Sequence, residues 1–439
     1  MVEPERPTPS PDEDSGRGMY SLVSELYPIC RSITGNGVRK TLEILSRHVP
    51  LEVREVPSDT DVLDWKVPKE WNIRDAWIAN ASGERVVDFR ASNLHVVSYS
   101  MPVRARMSLE TLRPHLHAMP DRPDWIPYRT SYYEETWGFC LTQRQLDALP
   151  DGDYEVCIDS TLEPGSLTYG EFVLPGATDE EILVSTHVCH PSLCDDNLTG
   201  VAVSVFLARA LSAIPDRRYT LRFLYAPGTI GAITWLAQNR DRASRVRHGF
   251  TLTCLGDDHP FTYKKTVGGS AEVDRAAAHV LGASDLAHQL IDFFPYGYDE
   301  RQYNSPGFRL PVGSLMRGRH GRFPEYHTSG DNLTFVSPAR MEESLRVCRG
   351  IVDVLQGNAR YVNLAPFGEP QLGRRGLYRA IGGTNIPDLQ LALLWVLNLS
   401  DGQSTLLDIA ERARIDFRTI RAAADALLAH ELLAGAPPA

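Results

Sequence analysis

The chain has little cysteine, no long apolar run and no basic surplus, and each shortage argues against a class of protein. Its seven cysteines, at 30, 140, 157, 189, 194, 254 and 348 of 439 residues, are odd in number and widely spaced. A disulfide framework is therefore not expected, and a reducing compartment fits. No apolar stretch reaches the roughly 20 residues that span a bilayer, so no segment reads as a transmembrane helix. Lys and Arg number 45 against 56 Asp and Glu, a formal net charge of −11, which makes a nucleic acid an unexpected partner. Residues 1–18 lack the apolar core of a signal peptide and are rich in Pro, Glu, Asp and Ser. They read as a disordered leader on a cytoplasmic protein with no membrane partner.

What is present is enough apolar residue, 43%, for a sizeable core, and a length that suggests two or three domains. Residues 19–53 have helical periodicity, with Tyr20, Leu22, Val23, Leu26 and Ile29 on one face. Between 61 and 165 the texture becomes short, β-rich and broken by Gly, Asn, Pro and Asp, as in an inserted β domain. From about 166 to 357, strands at 181–186, 219–225 and 249–255 alternate with helices at 197–212 and 231–239. That alternation predicts a mixed or parallel sheet covered on both faces. A Pro- and Gly-bearing stretch through Gly382 and Gly383 leads to three short helices, 388–397, 405–413 and 416–429, capped by Ser404 and Asp416. The layout over 375–439 is that of a winged helix. From Asp388 on it has no lysine and more acids than arginines, which favours packing or dimerisation over DNA binding.

The chemistry concentrates in residues 185–200, STHVCHPSLCDDNLTG. A strand delivers His187 to the sheet edge where open α/β sheets place ligands. Two carboxylates, Asp195 and Asp196, then open the next helix. Helix capping alone would explain the acids, and a lone His187 would suit a core. Together, imidazole and carboxylate converge as a zinc site requires.

This stretch resembles the zinc-exopeptidase fold of co-catalytic aminopeptidases, where a strand-end His is a ligand and the Asp of an Asp-Asn pair bridges the metals. The resemblance puts those roles on His187 and Asp196, and the last ligand on His327 within 325–332 (EYHTSGDN). From about Leu26 to the end, the chain is more closely similar to bacterial aminopeptidase-like proteins with an inserted β domain and a C-terminal winged helix. Residues 65–73 (WKVPKEWNI), 299–303 (DERQY) and 323–327 (FPEYH) carry that match. It implies an α/β fold: a zinc-exopeptidase-like mixed sheet flanked by helices, built from 19–60 and 166–357. Members of the family often accompany sugar-polymer or natural-product genes, so a place in a biosynthetic gene cluster is expected.

The chain also departs from that pattern. Pro227-Gly228-Thr229-Ile230-Gly231 stands where the family resembles Pro-Glu-Thr-Ile-Gly, so Gly228 takes the place of the general base and Thr229 that of a second ligand. The Asp ligand expected in 249–255 is also absent, although Asp257 or Asp258 lies just beyond. One zinc per chain, with three protein ligands, is therefore expected. Glu325, Asp257 and Asp195 are the candidates to replace the base. Glu325, two residues before His327, would point the same way in an extended segment. His190, Asp195 and Asp257 are expected to support the ligands, while Cys189 reads either as a ligand or as a small buried hydrophobe. Arg301, Tyr303 and Arg317 are candidate substrate contacts, or the arginines tie loops together. Tyr132, Tyr133, Trp137 and Phe139 either roof the site or form the inserted domain's core.

The expected function is metal-dependent hydrolysis of an amide or peptide bond in a small-molecule or peptide-like substrate, in a chain compatible with a homo-oligomer. The alternatives are a zinc enzyme with non-hydrolytic chemistry and a catalytically silent scaffold.

Overall fold

The computed structural model describes residues 11–377 and 388–436, arranged in two compact units. The larger unit is built on an eight-stranded sheet. In chain order its strands are β1 (Glu52–Pro57), β2 (Ser166–Leu174), β3 (Thr178–His187), β4 (Tyr219–Ala226), β5 (Val246–Leu252), β6 (Phe261–Lys264), β7 (His288–Ile291) and β8 (Val312–Met316). Across the sheet the order is β1-β2-β4-β3-β5-β8-β6-β7. The central run β4, β3, β5 and β8 is parallel, so these four strands end at one edge. The flanking pairs β1–β2, β2–β4 and β6–β8 are antiparallel. The architecture is the mixed α/β sheet anticipated above.

Composition explains the burial. Ile182, Leu183 and Val184 of β3, and Leu221, Phe223 and Leu224 of β4, are all fully buried, as expected for strands covered on both faces. The helix Gly200–Ser212 is apolar on more than one side and buries most of its residues, all of 200–205 among them. Arg222, in the middle of this apolar sheet, is held bidentately by Glu181, with nitrogen–oxygen distances of 2.7 and 2.8 Å, and by Glu171 at 2.8 Å. Trp235 donates to the same Glu171 at 2.9 Å. Buried charge is tolerated there because each group is paired and hydrogen-bonded.

Between β1 and β2 lies a separate antiparallel sheet, ordered Arg85–Asp88, Glu70–Ala79, Asp153–Glu163, Val103–Ser108. Arg39 of the helix Asn36–Leu45 reaches into it and binds both oxygens of Glu70 at 2.7 Å. The N-terminal reading needs correction. A helix runs from Pro11 to Leu26 and buries Met19, Leu22, Val23 and Leu26, so 11–18 of the expected leader is structured. Residues 1–10 lie outside the described residues, as do Gly382 and Gly383.

The smaller unit comprises 270–288 and 347–439. Helices Asp388–Leu399, Leu406–Ala413 and Phe417–Ala429 pack with a three-stranded antiparallel sheet of Asp401–Thr405, Arg360–Asn363 and Leu433–Gly435. The strand Arg360–Asn363 precedes the 375 boundary read from the sequence. Thr405, not Ser404, caps the second helix through a reciprocal box with Asp408, at 3.1 and 2.7 Å, because the chain stays extended one residue longer than expected. Asp416 caps the third as anticipated, accepting from Arg418 N at 2.8 Å. Helix Glu272–Gly282 joins this unit. Its Arg275 pairs with Asp408 at 2.6 Å and Glu411 at 2.5 Å, and His279 accepts from Phe417 N at 3.0 Å.

Candidate metal centre

β3 carries His187 to the shared strand edge, and the chain returns through a tight turn, Cys194–Thr199, before the helix Gly200–Ser212. Asp196 and Asn197 have non-helical dihedrals inside that turn, and two anchors fix it. Asp331, fully buried, accepts backbone N–H bonds from Cys194, Asp195 and Asp196 at 3.1, 2.6 and 2.9 Å. Asn197 donates to Thr186 Oγ1 at 2.8 Å and to the Leu252 carbonyl at 3.1 Å, tying the turn to β3 and β5. Asp331 thus supplies the acceptors that a helix start needs, a role the sequence reading did not give it.

The turn puts the Asp196 carboxylate among imidazoles. His187 Nε2 lies 2.9 Å from Asp196 Oδ1, His327 Nε2 3.0 Å from Oδ2, and His190 Nε2 3.8 Å from Oδ2. Burial alone would raise the Asp196 carboxyl, but His190, His187 and His327 hold it well below the usual carboxylate range. Burial keeps the His190 imidazole well below its ordinary value, against the pull of Asp196. The His190 carbonyl is fixed by the buried Arg31, which donates to it at 3.0 Å. Asp196 Oδ2 and His327 Nε2, though close, make no hydrogen bond with each other or with any other described group. Such orphaned donor atoms are costly unless something else satisfies them. A divalent cation would satisfy them, and nitrogen and oxygen donors of this kind suit zinc.

Among the described residues, two groups of three bring their ligand atoms within 4.8 Å of one another: His187, His190 and Asp196, and Asp196, Cys254 and His320. His327 joins neither. His187 and His327 instead approach different oxygens of Asp196, which sits between them. The sequence reading placed His190 behind the ligands; here its ring stands beside His187 and His327, with centroids 5.0 and 5.1 Å apart. His320 and Cys254 were not foreseen, since nothing in sequence spacing links them to β3.

The other side of the site is aromatic. A Cβ built on Gly228 falls inside the van der Waals envelope of Tyr298 Cε1 and 2.5 Å from its hydroxyl. Tyr298 therefore fills the space a side chain at 228 would need. Its ring stacks on His187 with centroids 3.7 Å apart, and its hydroxyl lies 3.2 Å from Cys189 Sγ. Burial raises the Tyr298 hydroxyl well above its ordinary value, so it keeps its proton.

The segment between β1 and β2 contributes Tyr128. Its N–H donates to the His327 carbonyl at 2.8 Å, its ring lies 5.1 Å from His190 and His327, and its hydroxyl meets Tyr132 at 3.0 Å. Of the aromatics singled out earlier, Tyr133 is half exposed beside Trp65, Trp137 stacks on His115, and Phe139 is fully buried.

The remaining candidates scatter. Asp195 and Asp257 are fully buried, and burial and then Asp257 raise the Asp195 carboxyl well above its ordinary value. Asp257 also accepts from His259 N at 2.6 Å and Gly318 N at 3.0 Å. Glu325 lies in a turn, and His327 has φ 56°. The extended alternation that aimed Glu325 with His327 does not exist. Tyr303 is buried with its hydroxyl 2.8 Å from Ser185 Oγ. Arg317 is fixed by Glu343, Ser344 and the His259 and Arg340 carbonyls. Both serve internal packing in this arrangement. Arg301 sits on the short helix Glu300–Tyr303 beside Asp299.

Comparison with known proteins follows the same outline. The model of a domain of unknown function, DUF4910, matches residues 20–358, and a winged helix-turn-helix model matches 359–435. A Clostridium acetobutylicum protein, provisionally named a polysaccharide biosynthesis protein with aminopeptidase-like domain, is 52% identical over 96% of each chain. A crystal structure from Clostridium acetobutylicum, provisionally described as a peptidase, is 50% identical with a TM-score of 0.92 over 97% of each chain. The zinc aminopeptidase BSAP of Bacillus subtilis shares the fold at 14% identity, with a TM-score of 0.56 over 77% of this chain and 95% of its own.

Proposed function

We propose that this chain, which belongs to the DUF4910 family and has the aminopeptidase-like fold, is a zinc-dependent hydrolase of an amide or peptide bond in a small substrate. The observation that carries the reading is the meeting of the buried His187 and His190 and the partly exposed His327 on one buried carboxylate, Asp196, with Asp196 Oδ2 and His327 Nε2 left without hydrogen-bond partners. His187, Asp196 and His327 would hold one zinc, with His190 beside them. A zinc bound there supplies Lewis-acid polarisation of a carbonyl and lowers the pKa of water.

The chain's own residues set the limits of that chemistry. Asp331 and Asn197 orient Asp196 through the turn, and such support typically changes metal affinity or activity ~10–100-fold. Tyr298 packs against His187 and His190, and Tyr128 against His190 and His327. Gly228 accepts no proton, and Tyr298 holds its own. Hydrolysis by the usual base-assisted route should fall short by about 10²–10⁴-fold. The filling of the base's space by Tyr298 also supports the second reading, a zinc enzyme whose reaction needs a hydroxyl donor in place of a carboxylate base. The smaller unit we assign to packing or dimerisation, because Arg418 and Arg421 of its third helix are paired with Asp416 and Asp425 at 3.3 Å.

The test is turnover of a panel of aminoacyl and acyl anilides by zinc-loaded protein and by Asp196→Asn. Slow, zinc-dependent cleavage lost in the variant supports hydrolysis. Zinc binding without cleavage of any amide favours the second reading.

A further inference from the structure

A cavity of about 370 Å³ opens beside His320 and is lined by Lys264, Phe294, Tyr296, Met316, Arg319 and Arg322 among others. No carboxylate lines it. Lys264 is already neutralised: it pairs with the buried Glu300 and donates to the Phe294 and Tyr296 carbonyls at 3.1 and 3.0 Å. Glu300 in turn accepts from the Tyr298 N–H at 3.1 Å. One buried ion pair therefore anchors the backbone that carries both rings of the cavity wall and the tyrosine that stacks on His187. Phe294 and Tyr296 nonetheless leave 51% and 56% of their surface open. Arg319 and Arg322 have no side-chain hydrogen bond or ion pair among the described residues, although acids outnumber bases in the chain.

Single solvated arginines are ordinary. Two unpaired guanidinium groups in one cavity lined also by two open aromatic rings and by a histidine of the cluster match the recognition of an anion on a flat body. We propose that this cavity is an anion subsite, and that the substrate handled at the cluster carries a carboxylate or phosphate held by Arg319 and Arg322, with its body against Phe294 and Tyr296. The assignment of the anion as substrate rests on the reading above; the binding site itself does not.

The experiment is calorimetric titration of the full chain with phenyl phosphate, 3-phenylpropionate and neutral 3-phenylpropionamide, with zinc and after chelation. The expected result is that an anion binds and the amide does not, in both states. Affinity should fall at least ~10-fold in Arg319→Gln and Arg322→Gln, with thermal melting unchanged. Preference for the phosphate or for the carboxylate names the source of the charge, and either supports the subsite. Equal binding of the neutral amide, or anion binding indifferent to both variants, would overturn it. So would anion binding that disappears on chelation, because the anion would then sit on the metal. Failure to take up zinc sinks the hydrolase reading and leaves the chelated titration still readable.

Discussion

The ends of β3 and β4 lie side by side in register, His187 opposite Ala226, yet they have been treated in opposite ways. At the β3 end polar groups converge on the Asp196 carboxylate: three imidazoles approach it, and Asp331 and Asn197 hold the turn that carries it. At the β4 end the chain offers Gly228, and the space beyond is occupied by Tyr298. Ligand donors and proton acceptors are thus separable parts of one site. Donor atoms, once buried, must be satisfied or they cost stability. A missing base costs no stability if a ring fills the gap, because packing is restored.

The comparison breaks most readily on the β3 side. Asp331→Ala would orphan the buried Asp195 and Asp196 N–H groups at roughly 1–3 kcal/mol each, while Cys194 N keeps the Asp331 carbonyl at 3.3 Å, so a loss of at least about 2 kcal/mol is expected in urea unfolding. Zinc affinity should weaken in parallel. An unchanged midpoint would mean the turn does not depend on Asp331.

On the β4 side, Gly228→Glu tests whether Tyr298 has displaced the base. The substitution alone should not create a peptidase. It should cost about 1–3 kcal/mol by overpacking against Tyr298, measured by thermal melting. Gly228→Glu with Tyr298→Ala should recover part of that loss and show faster anilide cleavage than either single variant. Equal stability of Gly228→Glu and wild type would show that the ring moves aside freely.

How much of this contrast the sequence could show follows from distance along the chain. His187 and Asp196 are nine residues apart on a strand end and the turn after it, so pattern and spacing suffice to bring them together. The alternating elements around them give the sheet by the same logic. Tyr298, His320 and Asp331 enter from loops more than a hundred residues away, and only the tertiary fold decides that they arrive. Tyr128 comes from the segment between β1 and β2, where of the two readings of its aromatics Trp137 and Phe139 take the local-packing one, while Tyr128 follows the irregular segment that pairs with Thr328. Glu325 misled because alternation was assumed across what is a turn.

The smallest expected effect lies away from the site, where Arg39 clasps Glu70. Hydrogen bonds from Arg39 depress the Glu70 carboxyl from 4.5 to about 2. A depressed carboxyl stabilises above its unfolded pKa and loses that contribution as pH falls through its folded value. Wild type should therefore exceed Glu70→Gln in stability above about pH 4.5, and the difference should shrink toward pH 2. A difference constant across that window would contradict the pairing.

The central claim is the metal. Elemental analysis by mass spectrometry on wild type, His187→Ala and His327→Ala, each reconstituted with zinc and desalted, tests it directly. The account predicts about one zinc per chain in wild type and its loss in both variants. A wild-type chain that takes up no metal, or variants that keep it, would contradict the account.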